Sequence, residues 1–326
     1  MANTGTTFPT GLSGTATTET CPLIGVATTA WQAGVFRVAA WVSRGLRVPP
    51  RNALLADTTT PAGYGRAYGF ERAMDNLGAI AGPLLALGLL ATVGMRSALL
   101  LSVIPGLLAA LAIIYAIRHI PRPARRERQP VRLQPNRVLR GRLGRLMVGV
   151  TAFEVGNVAA TLLILRVSTL LKPSLSPAGS ARLAVVLYIA YNAAAAIVSV
   201  PAGRAGDRWG AVMVLAAGVT FFLLAYLGFA VGHPSIAWLG MSFIIAGVGI
   251  GCIETAEHTA VAVLAPVDVR GSAFGILAGV QGFGNLAASA VAGFIWSTVS
   301  GTMAFFYLAA WMLLALMGII AAARAT

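Results

Sequence analysis

What most constrains this chain is a series of nine largely apolar stretches, at 22–43, 74–93, 97–117, 146–166, 183–201, 211–231, 237–258, 274–296 and 303–323. A helix needs about twenty such residues to cross a bilayer. In hydrocarbon every backbone N–H and C=O must find a partner inside the protein, and a helix supplies those partners itself. Only 10% of the residues are charged, against roughly a quarter in soluble domains. The expectation is an all-α integral membrane protein, a helical bundle of about nine transmembrane helices. The 37 glycines suit the close packing that such bundles use.

The charges that remain are unevenly placed. Alternating the spans puts 44–73, 118–145, 202–210, 259–273 and the C-terminus on one side, with 19 of the 24 Lys and Arg residues. The opposite side carries Arg96, Arg166, Lys172 and Arg182, and Arg37 lies inside a span. By the positive-inside rule the Arg-rich side, including the C-terminus, is cytoplasmic. This reading turns the net charge of +14 into a topology signal rather than a nucleic-acid footprint. It also divides the chain into a polar segment 1–21, a partial transmembrane half 22–117, an Arg-rich cytoplasmic linker 118–145 and a six-helix half 146–326. The segment 1–21 is Thr-rich and has neither a charged n-region nor an apolar core, so it does not read as a signal peptide. Cys21 and Cys252 stand far apart and form neither a disulfide framework nor a zinc pattern.

Two internal matches share one offset of 206 residues: GRAYGF at 65–70 with GSAFGI at 271–276, and LGAIAG at 77–82 with FGNLAA at 283–288. Repeats at equivalent topological places imply related halves. Between spans, Gly203, Asp207, Arg208 and Gly210 form G-x-x-x-D-R-x-G, and Pro201 just before it is expected to end the preceding helix. A close turn there would bring Asp207 to neighbouring helix N-termini and Arg208 to acidic partners.

This signature resembles the loop between the second and third helices of each half in the major facilitator superfamily, although AVMV follows where the family often has basic residues. Residues 44–83 resemble the segment joining the fourth and fifth helices of bacterial members, through Arg44, Gly45, Arg47, Pro50, Arg51, Asp57, Arg66, Gly69, Arg72, Asp75, Gly78, Gly82 and Pro83. The resemblance covers most of the chain and implies that its spans correspond to the fourth through twelfth helices of a twelve-helix transporter. Such folds are built from three-helix inverted repeats, so the resemblance further implies that one repeat unit is missing at the N-terminus.

The candidate site starts from GCIETAEHTA at 251–260. Positions i, i+3 and i+4 share one helix face, which would point Glu254, Glu257 and His258 the same way, with Glu254 near mid-depth and His258 a turn closer to the cytoplasm. Ionisable residues inside a membrane are functional hypotheses by default. A carboxyl buried beside a like charge favours its neutral form, and His titrates near neutral pH, so the cluster reads as a proton-loading site or as a structural network between helices. Glu154, with Asn157 one turn on, joins it as a candidate for proton coupling or substrate binding. Arg37 joins on the resemblance, with Trp41 where the family often has Gly. Tyr188, Tyr191 and Asn192 on one helix, and Gln281 and Asn285 at i and i+4 on another, are substrate contacts or helix–helix glue. Gly203, Asp207, Arg208 and Gly210, with Asp57, Glu71, Arg72 and Asp75, read as a cytoplasmic gating network.

No G-x-x-x-x-G-K-[ST] occurs and Lys172 is the only lysine, so ATP hydrolysis is not expected. E-x-x-E-H does not match the metalloprotease helix patterns. No cofactor, no resident metal, no nucleic acid and no enzymatic activity are expected. The partners are the lipid bilayer, protons and a small molecule that the sequence does not identify. The reading is a multi-pass transporter of the cell membrane, proton-coupled and of efflux type, working by alternating access. A non-transporting membrane fragment and a metal-ion transporter stay open as alternatives.

Overall fold

The computed structural model describes residues 29–101, 104, 107, 108, 111, 115, 135–172 and 176–324. The described residues form ten helices: α1 (Ala30–Thr58), α2 (Tyr64–Leu101), α3 (Pro135–Val138), α4 (Gly141–Gly156), α5 (Ala160–Leu171), α6 (Pro177–Trp209), α7 (Ala211–Val231), α8 (Ile236–Leu264), α9 (Arg270–Thr298) and α10 (Gly301–Arg324). Seven membrane-length apolar segments lie among them, matching seven of the nine expected spans. The span expected at 22–43 begins outside the described residues, and most of 97–117 lies outside them. So do the segment 1–21 and most of the linker 118–145.

Three expectations about helix ends are corrected. The stretch 44–73 is helical except for Thr59–Gly63, a bend followed by one 3-10 turn. Its polar residues are held by packing, because Ala56 is buried and the Tyr68 hydroxyl donates to the Asn52 carbonyl at 2.7 Å. Pro201 lies inside α6, which runs on to Trp209. Neighbouring transmembrane helices can support a proline that would end an isolated helix. Instead Gly210, at φ 93°, ends α6 and starts α7. The single span expected at 146–166 is broken at 157–159 into α4 and α5.

The C-terminal bundle is closely packed. α8 lies against α6 and α7, and α10 against α4 and α7. The N-terminal helices meet this bundle through α2 on α6 and α8, and through α1 on α9. Where α2 crosses α6, Gly65 faces the Gly203 carbonyl, so the two backbones touch with no side chain between them. Further along α2, Gly78, Gly82 and Gly88 have nothing within 4 Å of where a Cβ would stand. The N-terminal helices therefore close on the bundle at the Arg-rich end and part from it beyond.

The internal repeat is visible in space. α2 and α9 begin at Tyr64 and Arg270, 206 residues apart. Equivalent residues meet each other: Arg270 donates to the Tyr64 hydroxyl at 3.3 Å, and the Tyr68 and Phe274 ring centroids lie 5.9 Å apart. Only residues beside a pseudo-two-fold axis contact their own counterparts, so the two copies of the repeat are related across this point.

Candidate functional site

The break between α4 and α5 organises the site. Unwound backbone inside a membrane must have its freed groups paired, and three side chains do this. The Tyr226 hydroxyl donates to the Gly156 carbonyl at 3.0 Å and accepts from the Val158 N–H at 3.2 Å. Asn285 Nδ2 donates to the Asn157 carbonyl at 2.9 Å, and the Ala159 N–H reaches Ser289 Oγ at 3.5 Å. Asn157 Nδ2 donates to Glu154 Oε2 at 3.0 Å. Glu154, only 3% exposed, is thus fixed at the last turn of α4. Gly284 of α9 faces the Glu154 backbone and leaves α9 room to approach.

Glu257 of α8, 1% exposed, receives Gln281 Nε2 of α9 on its Oε2 at 2.9 Å. Its other oxygen, Oε1, has no hydrogen-bond partner among the described residues. Glu254 is half-buried on the same helix. Electrostatically the three carboxyls are one group: Glu254 acts on Glu154, and both act on Glu257. Tyr191 of α6 is in reach of Glu254 and Glu154, with Tyr188 next to it. Arg72 of α2 reaches Glu254 and Glu257. Its guanidinium is already bonded to Glu71 at 2.7 and 3.0 Å and paired with Asp75 at 3.0 Å.

A second polar set ties α1 and α2 to α6 and α9 at the Arg-rich end. Asp207 of α6 accepts from the Gly65 N–H at 2.6 Å and the Arg66 N–H at 3.0 Å, and pairs with Arg66 Nε at 3.3 Å. These N–H groups belong to the first turn of α2, where helix donors have no partner of their own. Arg270 Nη1 pairs with Asp57 at 2.7 Å. Arg51 is bonded to Glu71 and lies 3.8 Å from Asp75.

Residues 4–181 and 146–325 match the model of the Major Facilitator Superfamily, together nearly the whole chain. The chain belongs to this superfamily. Within the family, an uncharacterized protein of Mycobacterium tuberculosis is 28% identical over 293 residues, covering 89% of this chain and 70% of that protein. An uncharacterized MFS-type transporter of Methanocaldococcus jannaschii is 26% identical over 293 residues, covering 87% and 70%. Among solved structures, the human organic anion transporter MFSD10 superposes with a TM-score of 0.69 at 17% identity, over 94% of this chain and 75% of its own. A bacterial homologue of the iron transporter ferroportin, in an outward-facing state, gives 0.71 at 14% identity, over 93% and 76%. At these identities the two structures speak for the superfamily fold alone.

Of the residues singled out in the sequence, the fold brings Glu154, Asn157, Glu254, Glu257, Gln281, Asn285, Tyr188 and Tyr191 into one neighbourhood built from α4, α6, α8 and α9. His258 departs from the expected common face. Its Nδ1 is 2.7 Å from the Glu254 carbonyl of its own helix. Its ring lies between Tyr68 and Phe274, with centroids at 5.7 and 6.0 Å. The charges acting on it most are those of Arg72, Glu71 and Arg51. Asn192 directs its amide to the Tyr188 carbonyl at 2.7 Å. Arg208 does not meet the acidic partner expected of it among the described residues; it sits over its neighbour Trp209, 5.7 Å from the ring centre. Arg37 lies in α1 with its side chain outside the described set.

Sequence reasoning missed Tyr226 and Ser289, which seal the break, and Arg270, which closes the Arg-rich end. The 206-residue offset could have found Arg270 through Tyr64. A groove of about 600 Å3, lined by Trp209, Met213, Thr259, Val263, Ile320 and Arg324 among others, lies at the Arg-rich end rather than at the carboxyls.

Proposed function

We propose that this multi-pass membrane protein is a proton-coupled secondary transporter that moves a small molecule out across the cell membrane by alternating access, with its Arg-rich end and C-terminus in the cytoplasm. The observation that carries the reading is the set of three carboxyls, Glu154 and Glu257 buried and Glu254 half-buried, placed inside the bundle beside a helix break. Three charges at that depth are costly to keep, so protons are the natural counter-charge, and gaining or losing them changes the energy of any rearrangement around α4, α5 and α8. His258 stands between this group and the Glu71–Arg72–Asp75 network, on the route a proton would take to the cytoplasmic side. Arg37 enters the coupling set on family resemblance.

The network of Asp57, Glu71, Arg72, Asp75, Gly203, Asp207, Arg208 and Gly210 serves as the cytoplasmic gate. Opening it breaks the bonds from Asp207 to α2 and from Arg270 to Asp57, a hinge movement with discrete closed and open arrangements. The apolar helices around the carboxyls favour efflux of an amphipathic molecule over uptake of a sugar.

Infrared difference spectroscopy of the purified chain tests the reading without knowledge of the substrate. A protonated-carboxyl band should appear and vanish as pH is stepped between about 5 and 9. It should lose intensity in Glu257→Gln and Glu254→Gln. A spectrum with no titrating carboxyl band, or one that both variants leave unchanged, would sink proton coupling at this site.

A further inference from the structure

We infer that the groove at the Arg-rich end binds an anionic phospholipid, with the lipid phosphate on Arg208 and Arg324 and the first part of an acyl chain on the groove floor. The site is separate from the carboxyls, and its occupancy is independent of what is transported.

The groove exists because small residues meet there. The start of α7 and the last turns of α8 and α10 converge on it, and Gly206, Gly210, Ala211, Ala216, Ala260 and Ala323 are among its lining. None of these carries a side chain long enough to fill the space between the helices. Its volume of about 600 Å3 is that of a ligand site, which typically measures roughly 300–1,000 Å3. The floor is apolar. Thr259 brings a hydroxyl to the lining, but its Oγ1 donates to the Thr255 carbonyl of its own helix at 2.7 Å.

Its place in the bundle points to a lipid. α7, α8 and α10 are each long and apolar enough to cross a membrane, and the groove lies where all three end on one side. Trp209, Met213 and Val263, which line it, are exposed, so it opens sideways from the bundle rather than into the core. An exposed tryptophan at the end of a span suits the headgroup level of a bilayer.

Charge decides which lipid. Asp207 is the acidic residue of the lining, and it is already engaged by the Gly65 and Arg66 amides and by the Arg66 guanidinium. Arg324 lines the groove, and the Arg208 guanidinium sits 5.7 Å from the ring centre of Trp209. Both arginines are exposed, and among the described residues neither is paired with a carboxylate. The rim is therefore positive above an apolar floor. Basic pockets between membrane helices hold anionic headgroups, and arginine matches the oxygens of a phosphate. The same charge disfavours the other occupants. The segment 118–134 is itself Arg-rich, and a second copy meeting this face with its own would bring the same two arginines.

Tryptophan fluorescence of the full chain in detergent tests the site, with phosphatidylglycerol carrying brominated acyl chains as the probe, because bromine quenches an indole that it touches. Saturable quenching is expected in the parent and should be lost in Trp209→Phe. Brominated phosphatidylcholine, with the same chains and no net charge, should quench without saturating. Arg324→Gln should raise the half-saturating lipid fraction roughly fivefold, since one basic residue beside an anionic lipid contributes about 1 kcal/mol. Adding Arg208→Gln should raise it roughly 25-fold in all, and Arg324→Lys should stay near the parent. Equal saturation by the two lipids, or a double variant that saturates like the parent, would overturn the inference. So would the absence of saturable quenching, the result expected if another part of the chain or a second copy covers the groove. Glycerol 3-phosphate that displaces the probe as well as unlabelled phosphatidylglycerol does would assign the groove to a soluble phosphate ester and overturn the lipid. If the arginine variants do not fold, Ala323→Phe, which fills the groove from an exposed position, should abolish the saturable quenching, and unchanged saturation would overturn the site.

Discussion

Gly203→Ala drives a methyl group into the backbone of α2. The new Cβ would stand 2.7 Å from the Gly65 carbonyl carbon and 3.2 Å from the Arg66 nitrogen, with the Gly65 oxygen nearer still. All three are main-chain atoms, so no rotamer change relieves the overlap. Bringing the 2.7 Å approach to the 3.4 Å at which ordinary contact begins requires the helices to part by at least about 0.7 Å. Along that direction the Asp207 bond to the Arg66 N–H, now 3.0 Å, passes beyond hydrogen-bond length, and the 2.6 Å bond to the Gly65 N–H is stretched. Losing one charge-assisted bond costs about 1.5–3 kcal/mol, which moves a closed–open equilibrium roughly tenfold to a hundredfold toward open. The helix itself does not suffer, since Ala is better than Gly inside a helix by about 1 kcal/mol. Spin labels at the exposed positions Thr58 and Arg204, in a background with both native cysteines replaced, read the distance between α1 and α6 by pulsed electron resonance. The Gly203→Ala distribution should gain a longer component. A distribution superimposable on the parent would show that the backbone contact does not hold this end shut.

Three further substitutions probe the rest of the architecture. Tyr226→Phe leaves both the Gly156 carbonyl and the Val158 N–H without their partner. It should lower stability by about 1–3 kcal/mol, read as earlier thermal unfolding in detergent. Arg166 is 6% exposed. It donates to the Phe229 and Ala230 carbonyls and to Thr302, and sits 5.9 Å from the Trp296 and Phe305 ring centres. Arg166→Leu should destabilise by about 2 kcal/mol or more, read as earlier thermal unfolding in detergent, and a neutral melting temperature would refute its bracing role. A double-mutant cycle of Asp57→Asn and Arg270→Gln should return a coupling below about 1 kcal/mol, because Asp57 is 42% exposed and solvent screens the pair.

The pattern of spans and the membrane class were legible because hydrophobic length alone decides them. The superfamily was legible in the Gly203–Gly210 signature, since a backbone crossing such as Gly65 on Gly203 tolerates so few residue types. The acidic group was half legible: Glu254 and Glu257 stood out on one helix, but helical spacing could not say that Glu257 turns to α9 while His258 turns to α2. The break at 157–159 left only a weak mark, Gly156 followed by Asn157 with no Pro. It exists through partners contributed by Tyr226, Asn285 and Ser289, more than sixty residues away. Pro201 misled for the converse reason, since tertiary packing carries α6 past a residue that would end a helix alone. Arg166 was read as a topology marker at a span end, and nothing local announces that its charge is buried among carbonyls and rings.

The acceptor that finishes the first turn of α2 is not in α2. Its Gly65 and Arg66 amides are capped by Asp207, 142 and 141 residues downstream. With Asp207 in place that helix start is complete; opening of the proposed gate would return two amide protons to solvent. The proposed gate would thereby be recorded in the solvent exchange of two backbone protons. The fraction of molecules open at any moment can be counted from amide exchange at Gly65 and Arg66, with no label attached and no substrate known.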